Sequence, residues 1–193
     1  MSILNLQVNL GANDTVSWQD YSTEWSNSIN TQVIGLNSDG GWYRSWNTFR
    51  FTSVLIPVGS VIDSAIFKFY CTGENAGYSP ASLIYFEAAD SPAAPISNTD
   101  LNGRSVGSSV GWTPGGGISQ WFSSPELKTI LQAIINRAGW ASGNALQIHW
   151  RNNCSDYYYK VMASYETNTS LAAKLDITFT PPAGTANFFL FFP

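Results

Sequence analysis

Charge is what this sequence has least of. Asp, Glu, Lys and Arg make up 11% of its 193 residues, against roughly a quarter in an average globular protein. The 9 basic and 13 acidic residues leave a net charge of -4, and the basic ones form no cluster. Nucleic acid and anionic membrane would find no electrostatic footprint, so both are excluded as partners. Histidine occurs once, at His149, and cysteine twice, at Cys71 and Cys154, with no CxxC spacing. A transition-metal site therefore lacks its ligands. Nucleophilic hydrolysis of the Ser-His-Asp kind would have to use His149. Apolar runs long enough to span a bilayer are missing too. The opening residues Met1 to Asp14 carry no basic n-region and no long apolar h-region, and they alternate like a strand. No secretory signal is read there.

What fills the space is aromatic and neutral-polar. Phe, Trp and Tyr reach 15%, and Ser, Thr, Asn and Gly supply a surface that is polar without being charged. That composition suits an all-β extracellular or particle-surface protein whose neutral faces accept sugar or protein partners. With no break in composition, residues 1–182 are expected to form a single domain, long enough to bury about two thirds of its unfolded surface. An apolar tail, residues 183–193, follows a Pro181-Pro182 stop.

Period-two alternation predicts strands at Ile3 to Leu10, Ser45 to Phe51 and Val61 to Cys71, with Thr15 to Tyr21 a shorter candidate and Thr31 to Leu36 a further strand. Further strands are predicted at Leu83 to Ala89, Ala145 to Arg151, Tyr159 to Tyr165 and Ala173 to Thr180. The runs ending at Phe51 and Cys71, joined through Ile56-Pro57-Val58-Gly59, read as neighbouring strands at the centre of a sandwich. From Ala145 onward Leu146, Ile148 and Trp150 point inward, and Gln147, His149 and Arg151 outward. Cys71 and Cys154 each fall at the end or edge of an apolar run, where a free core thiol and a mutual disulfide both remain open. Ser124 as N-cap, Pro125 at the first helical position and Glu126 near the positive end predict one amphipathic helix over about 124–138. Its stripe is Leu127, Ile130, Leu131, Ile134 and Ile135, and Gly139 ends it; it is expected to cap an open end. The weakly patterned stretch Asp90 to Gly117 is expected to carry function or to hide short strands.

The succession YRSWNTFRF, IPVGSVIDSAIFKFY, SPELKTILQAIINRAGWASGNALQIHW and the final MASYE and AAKLDITF resembles the DNRLRE-type modules. These are β-sandwiches similar to carbohydrate-binding modules, found beside polysaccharide-active enzymes, in bacterial surface proteins and in phage structural proteins. The resemblance spans approximately Asn13 to Thr180, and RAGWASGNAL is its most specific piece. It implies a jelly-roll-like antiparallel β-sandwich and a non-catalytic role, and it carries over no catalytic residue. The expectation is that this chain departs from the usual setting, standing without a linked enzyme domain or a secretory signal, and it carries the apolar run FFLFFP. The expectation is a phage virion structural protein, a capsid decoration or a tail or fibre surface component, at the virion surface and homo-oligomeric. It would dock on other virion subunits through Phe188, Phe189, Leu190, Phe191 and Phe192, since such a segment left in water is aggregation-prone and can instead fill a groove or add a strand. The alternative is a free-standing extracellular bacterial carbohydrate-binding or lectin-like module, and the third reading a polysaccharide-degrading enzyme.

Sugar binding needs flat aromatic faces beside amides and hydroxyls. Trp42, Tyr43, Trp112, Trp140, Tyr157 and Tyr158 are the candidates, each set against the ordinary role of aromatics as core residues. For calcium, the only cofactor considered, Asn37, Asp39 and Glu74 are weak candidates, because the acids are too sparse for a loop motif. A glycosidase would need two of Glu87, Asp90, Glu126, Asp156 and Glu166 across one cleft. Most of these acids read better as turn or rim residues.

Overall fold

The computed structural model describes residues 1–18, 25–26, 31–37, 43–75 and 79–184. In chain order these hold β1 (Ser2–Gln7), β2 (Asp14–Trp18), β3 (Trp25–Ser26), β4 (Thr31–Asn37), β5 (Tyr43–Phe51), β6 (Val61–Glu74) and β7 (Ser82–Glu87). There follow α1 (Asn98–Gly103), β8 (Val106–Trp112), β9 (Gln120–Ser123), α2 (Lys128–Ile135), β10 (Leu146–Asn152), β11 (Tyr159–Ala163) and β12 (Lys174–Thr180). The alternating runs have become two antiparallel sheets, the all-β sandwich the sequence predicts. In the first, hydrogen-bonded neighbours run β1-β12-β6-β11-β4 with β9 on β6; in the second, β2-β5-β10-β7-β8 with β3 on β2. The end of β4 pairs with the start of β5, Leu36 opposite Arg44 and Asn37 opposite Tyr43, and so links the two sheets.

The two central runs are not neighbours, which corrects the sequence reading. β5 pairs with β2, β4 and β10, whereas β6 pairs with β12, β11 and β9. Residues 52–60 carry the chain from one sheet to the other, so Phe49 and Phe67 meet across the core with ring centroids 4.9 Å apart. Each strand has one apolar face, and stacking the two sheets on those faces removes both from water. Around this contact Phe67, Phe69, Trp112 and Trp150 form an aromatic cluster, with Trp112 stacked on Trp150 at 5.0 Å. The Trp150 indole donates to Ser82 Oγ at 2.7 Å, and that hydroxyl donates to the Trp112 carbonyl at 2.6 Å. The one polar atom on the Trp150 ring is thus satisfied inside the core.

The helix begins later than its sequence signature. Ser124, Pro125 and Glu126 lie ahead of α2, whose N-cap is Leu127. Ser124 Oγ accepts from the Phe67 N–H at 3.0 Å, and the Glu126 carboxylate accepts from the Ala65 N–H at 2.6 Å. The segment therefore continues the pairing of β9 along β6 before the chain turns helical. Lys68 pairs with both Lys174 and Ser123, so β9 occupies the edge of β6 opposite β12. Ile130, Leu131, Ile134 and Ile135 of α2 are buried, and the helix contacts β6 of one sheet and β7 and β8 of the other.

The RAGWASGNAL stretch ties this corner together. Arg137 Nε lies 2.5 Å from Asp90 Oδ1, Trp140 Nε1 donates to the Ile56 carbonyl at 3.0 Å, and Asn144 Nδ2 donates to the Asp90 carbonyl at 2.9 Å. A Cβ on Gly139 would run into the Asp90 carboxylate, which is why the position suits glycine. Within Asp90 to Gly117 the chain hides α1 and β8, as expected for a long unpatterned stretch. Cys71 and Cys154 are not bonded to each other.

Candidate functional site

The outer face of the second sheet brings charged, aromatic, amide and hydroxyl side chains together. β10 places Gln147, His149 and Arg151 there, opposite Arg50, Thr48 and Trp46 of β5. β7 adds Tyr85 beside His149 and Leu83 beside Arg151, and β2 adds Thr15 beside Thr48 and Ser17 beside Trp46. Gln147 and His149, expected outward and in water, are buried, each about 1% exposed. The reason is a strap, residues 88–105 with α1, that covers one half of the face. Arg50 Nε donates to the strap carbonyl of Pro92 at 2.7 Å, and Ser17 hydrogen-bonds Asn98. Arg104 is the hub: it pairs with Glu87 at 3.2 Å and Asp100 at 2.8 Å, and donates to the Ala93 and Ala94 carbonyls. Ser97 caps α1 by accepting from the Asp100 N–H.

Beneath the strap His149 Nε2 lies 3.0 Å from Glu87 Oε2. Burial pushes the imidazole below its usual pKa range, against the upward pull of the Glu87 carboxylate. Thr15 and Thr48 share a hydrogen bond hydroxyl to hydroxyl. This half is a closed polar layer.

The other half is open. The Arg151 guanidinium carbon lies 4.0 Å from the Trp46 ring centroid and 5.2 Å from that of Tyr85, a cation held between two aromatic rings. All three residues are partly exposed. Arg151 Nε is buried without an acceptor, and so is Gln147 Oε1 without a donor, farther along the same strand face. One step beyond Arg151 lies a depression of about 300 Å³ lined by Arg44, Asn152, Asn153, Cys154 and Ser155. Arg44 is two residues from Trp46 on β5 and shares its face.

The predicted stacking residues are distributed differently. Trp112 and Trp140 are core residues, 8% and 3% exposed. Trp112 lies against Trp150 and Phe69, and Trp140 is locked to the Ile56 carbonyl, so neither offers a ring face to a sugar. Tyr157 and Tyr158 are partly buried in the β10–β11 connection, close in sequence to the depression, with Tyr157 edge-on to Tyr159 at 5.8 Å. Tyr43 opens β5, and Asn37 closes β4. Trp42, Asp39 and Phe188, Phe189, Leu190, Phe191 and Phe192 lie outside the described residues. Glu74 is engaged by the buried Lys160 ammonium and by the Gly117 N–H at 3.0 Å. The Lys160 hydrogen bond holds its carboxyl below the usual range, so this oxygen pair is already committed rather than offered to calcium. Among the described residues no three His, Cys, Asp or Glu side chains converge on a metal position.

The acids weighed for hydrolysis are dispersed. Glu87 faces Arg104 and His149, Asp90 faces Arg137, and Glu126 accepts from backbone N–H groups of Ala65 and Lys128. Asp156 and Glu166 are exposed. The residues that sequence reasoning overlooked are Trp46, Tyr85 and Arg151. A signal existed: alternation put Trp46 on the side of its strand opposite Phe49 and Phe51, so a large aromatic stood on the polar face. Compared with known protein families and with curated proteins, the chain matches none.

Proposed function

We propose that this chain is a non-enzymatic β-sandwich of the DNRLRE or carbohydrate-binding-module type that binds glycan across the open half of its second sheet. The observation that carries the reading is the part-exposed Trp46–Arg151–Tyr85 stack beside the depression at Arg44 and Asn153. A ring clamped in place by a guanidinium offers a preorganised apolar face, and loop amides next to it supply the donors and acceptors that orient a sugar. The test is a glycan array with the intact protein, followed by titration of the best binder with Trp46→Ala. Retained binding is expected to fall at least about tenfold, the equivalent of about 1.4 kcal/mol. A silent array, or affinity unchanged in Trp46→Ala, would sink the proposal.

A second reading, that the sandwich is a structural component of a phage particle, rests on a different feature. Leu55, Val58 and Val61 are large apolar residues left 58–62% exposed on or beside the β5–β6 connector. Pro182, where the apolar tail begins, lies against this connector, its ring 3.7 Å from the Cβ position of Gly59. Apolar surface at the root of an apolar segment suits a contact with another subunit. Deleting residues 183–193 should abolish assembly with the particle while leaving glycan affinity intact. Assembly that survives the deletion would refute the docking role of the tail.

A further inference from the structure

We infer that the glycan taken by this face carries a carboxylate, and that Arg151 receives it. The inference rests on the glycan reading above and adds the charge of the ligand. Elsewhere among the described residues Lys68, Arg104, Arg137 and Lys160 each pair with a carboxylate of the protein. Arg50, on the same sheet face, is satisfied by the Pro92 carbonyl and Asn13 Oδ1. Arg151 has instead two ring faces, and a buried Nε with no acceptor. A buried donor left without an acceptor is costly, so the site is tolerated only if something else favours it.

The stereochemistry matches a carboxylate. Ring centroids 4.0 and 5.2 Å from the guanidinium carbon leave its N–H groups as the part able to hydrogen-bond. Those groups are a fork of parallel N–H donors, which a planar carboxylate meets with two bonds at once. Desolvation already weighs on this cation, lowering its pKa from the ordinary arginine value, and an incoming anion would relieve that cost. The depression beside it, about 300 Å³, is of the size at which small-ligand sites begin. Its wall includes a second arginine, Arg44. The chain as a whole is acidic, net -4. Capture of an anion here is a local property of one sheet face and not of the overall field.

The experiment titrates the intact protein calorimetrically with three acidic probes, an oligogalacturonate, an oligoglucuronate and a sialylated trisaccharide. Each is paired with its own methyl ester, so that only the charge differs. At least one free acid should bind roughly tenfold or more tightly than its ester, and that ratio should shrink as salt is raised. Arg151→Met keeps an unbranched chain between the rings and removes the charge. It should bring acid and ester to within about twofold, while Arg151→Lys retains part of the preference. A melting temperature matching the parent protein establishes that the variants are folded. Acid and ester binding equally in the parent protein overturns the inference but leaves glycan binding standing. A preference that persists in Arg151→Met also overturns it. If no acid, no ester and no arrayed glycan binds, both readings fall together.

Discussion

Two strands, β12 of the first sheet and β10 of the second, treat their polar residues in opposite ways. On the first sheet β12 alternates as a surface strand should. Every second residue of β12 from Leu175 to Phe179 is buried, and the intervening Asp176 meets Lys68 in an ion pair about one-third exposed on both sides. On the second sheet β10 buries five consecutive residues, Leu146 to Trp150. Asp14, Thr15, Ser17, Ser45, Asn47, Thr48, Ser82 and Glu87 are buried on the strands around it. A polar residue on a strand therefore signals a hydrogen-bonding partner, which is water along β12 and protein along β10. Stability should depend on the polar groups around β10 far more than on those around β12.

The largest expected effect comes from Asp14. Its Oδ2 accepts from the Tyr165 N–H at 2.8 Å while Oδ1 is buried with no partner. Burial raises its pKa from 3.8 to about 7. The folded state thus holds a proton that the unfolded chain releases, and stability falls as pH rises from about 4 to about 7, then levels off. A shift of this size corresponds to about 4 kcal/mol. His149 works in the opposite sense, its neutral form favoured in the fold, so stability from that residue is lost below its ordinary value of 6.5. Asp14→Asn separates the two, because the amide mimics the protonated acid. Urea denaturation from pH 4.5 to 8 should show the variant overtaking the parent protein as pH rises. Parallel curves would mean that Asp14 is ionised in the fold.

Next in size is Arg104→Ala, which leaves the carboxylates of Glu87 and Asp100 without their cation under the strap. A loss of roughly 3 kcal/mol is expected. Faster amide exchange should be confined to residues 88–105 and the neighbouring β7, with β6 and β12 unchanged. Exchange that rises equally in both sheets would mean the strap is not a separate layer. The smallest effect belongs to Lys68→Ala on the first sheet, where an exposed pair is worth less than about 0.5 kcal/mol. A loss comparable to that of Arg104→Ala would erase the contrast between the two strands.

The architecture was largely legible because strands such as Ile3 to Leu10, Val61 to Cys71 and Ala145 to Arg151 announce themselves by alternation. Their pairing was not, since the same apolar face serves a strand whether its partner lies beside it or across the core. Phe49 and Phe67 touch, but through stacked sheets. The Ser124-Pro125-Glu126 signature misled for a related reason. A short oxygen-bearing side chain that accepts a backbone N–H is what an N-cap requires, and it is also what the edge of β6 requires. Of the predicted stacking residues, Trp112 and Trp140 sit among Pro and Gly in the sequence, which made them look like loop aromatics, yet the neighbouring turns are what let them reach inward. Trp46 and Arg151 were on the page as strand residues. Nothing local says that a tryptophan and an arginine 105 positions apart in the numbering stand opposite each other.

The switch from strand to side chain along β6 has a consequence for how the protein survives among copies of itself. Past Ser123 the N–H groups of Phe67 and Ala65, which a passing strand would seek, are taken by Ser124 Oγ and the Glu126 carboxylate. A side chain fills the donor but presents no further ladder of its own, and the helix then turns the backbone away. The edge ends in a seal, and a foreign strand cannot add to the sheet there.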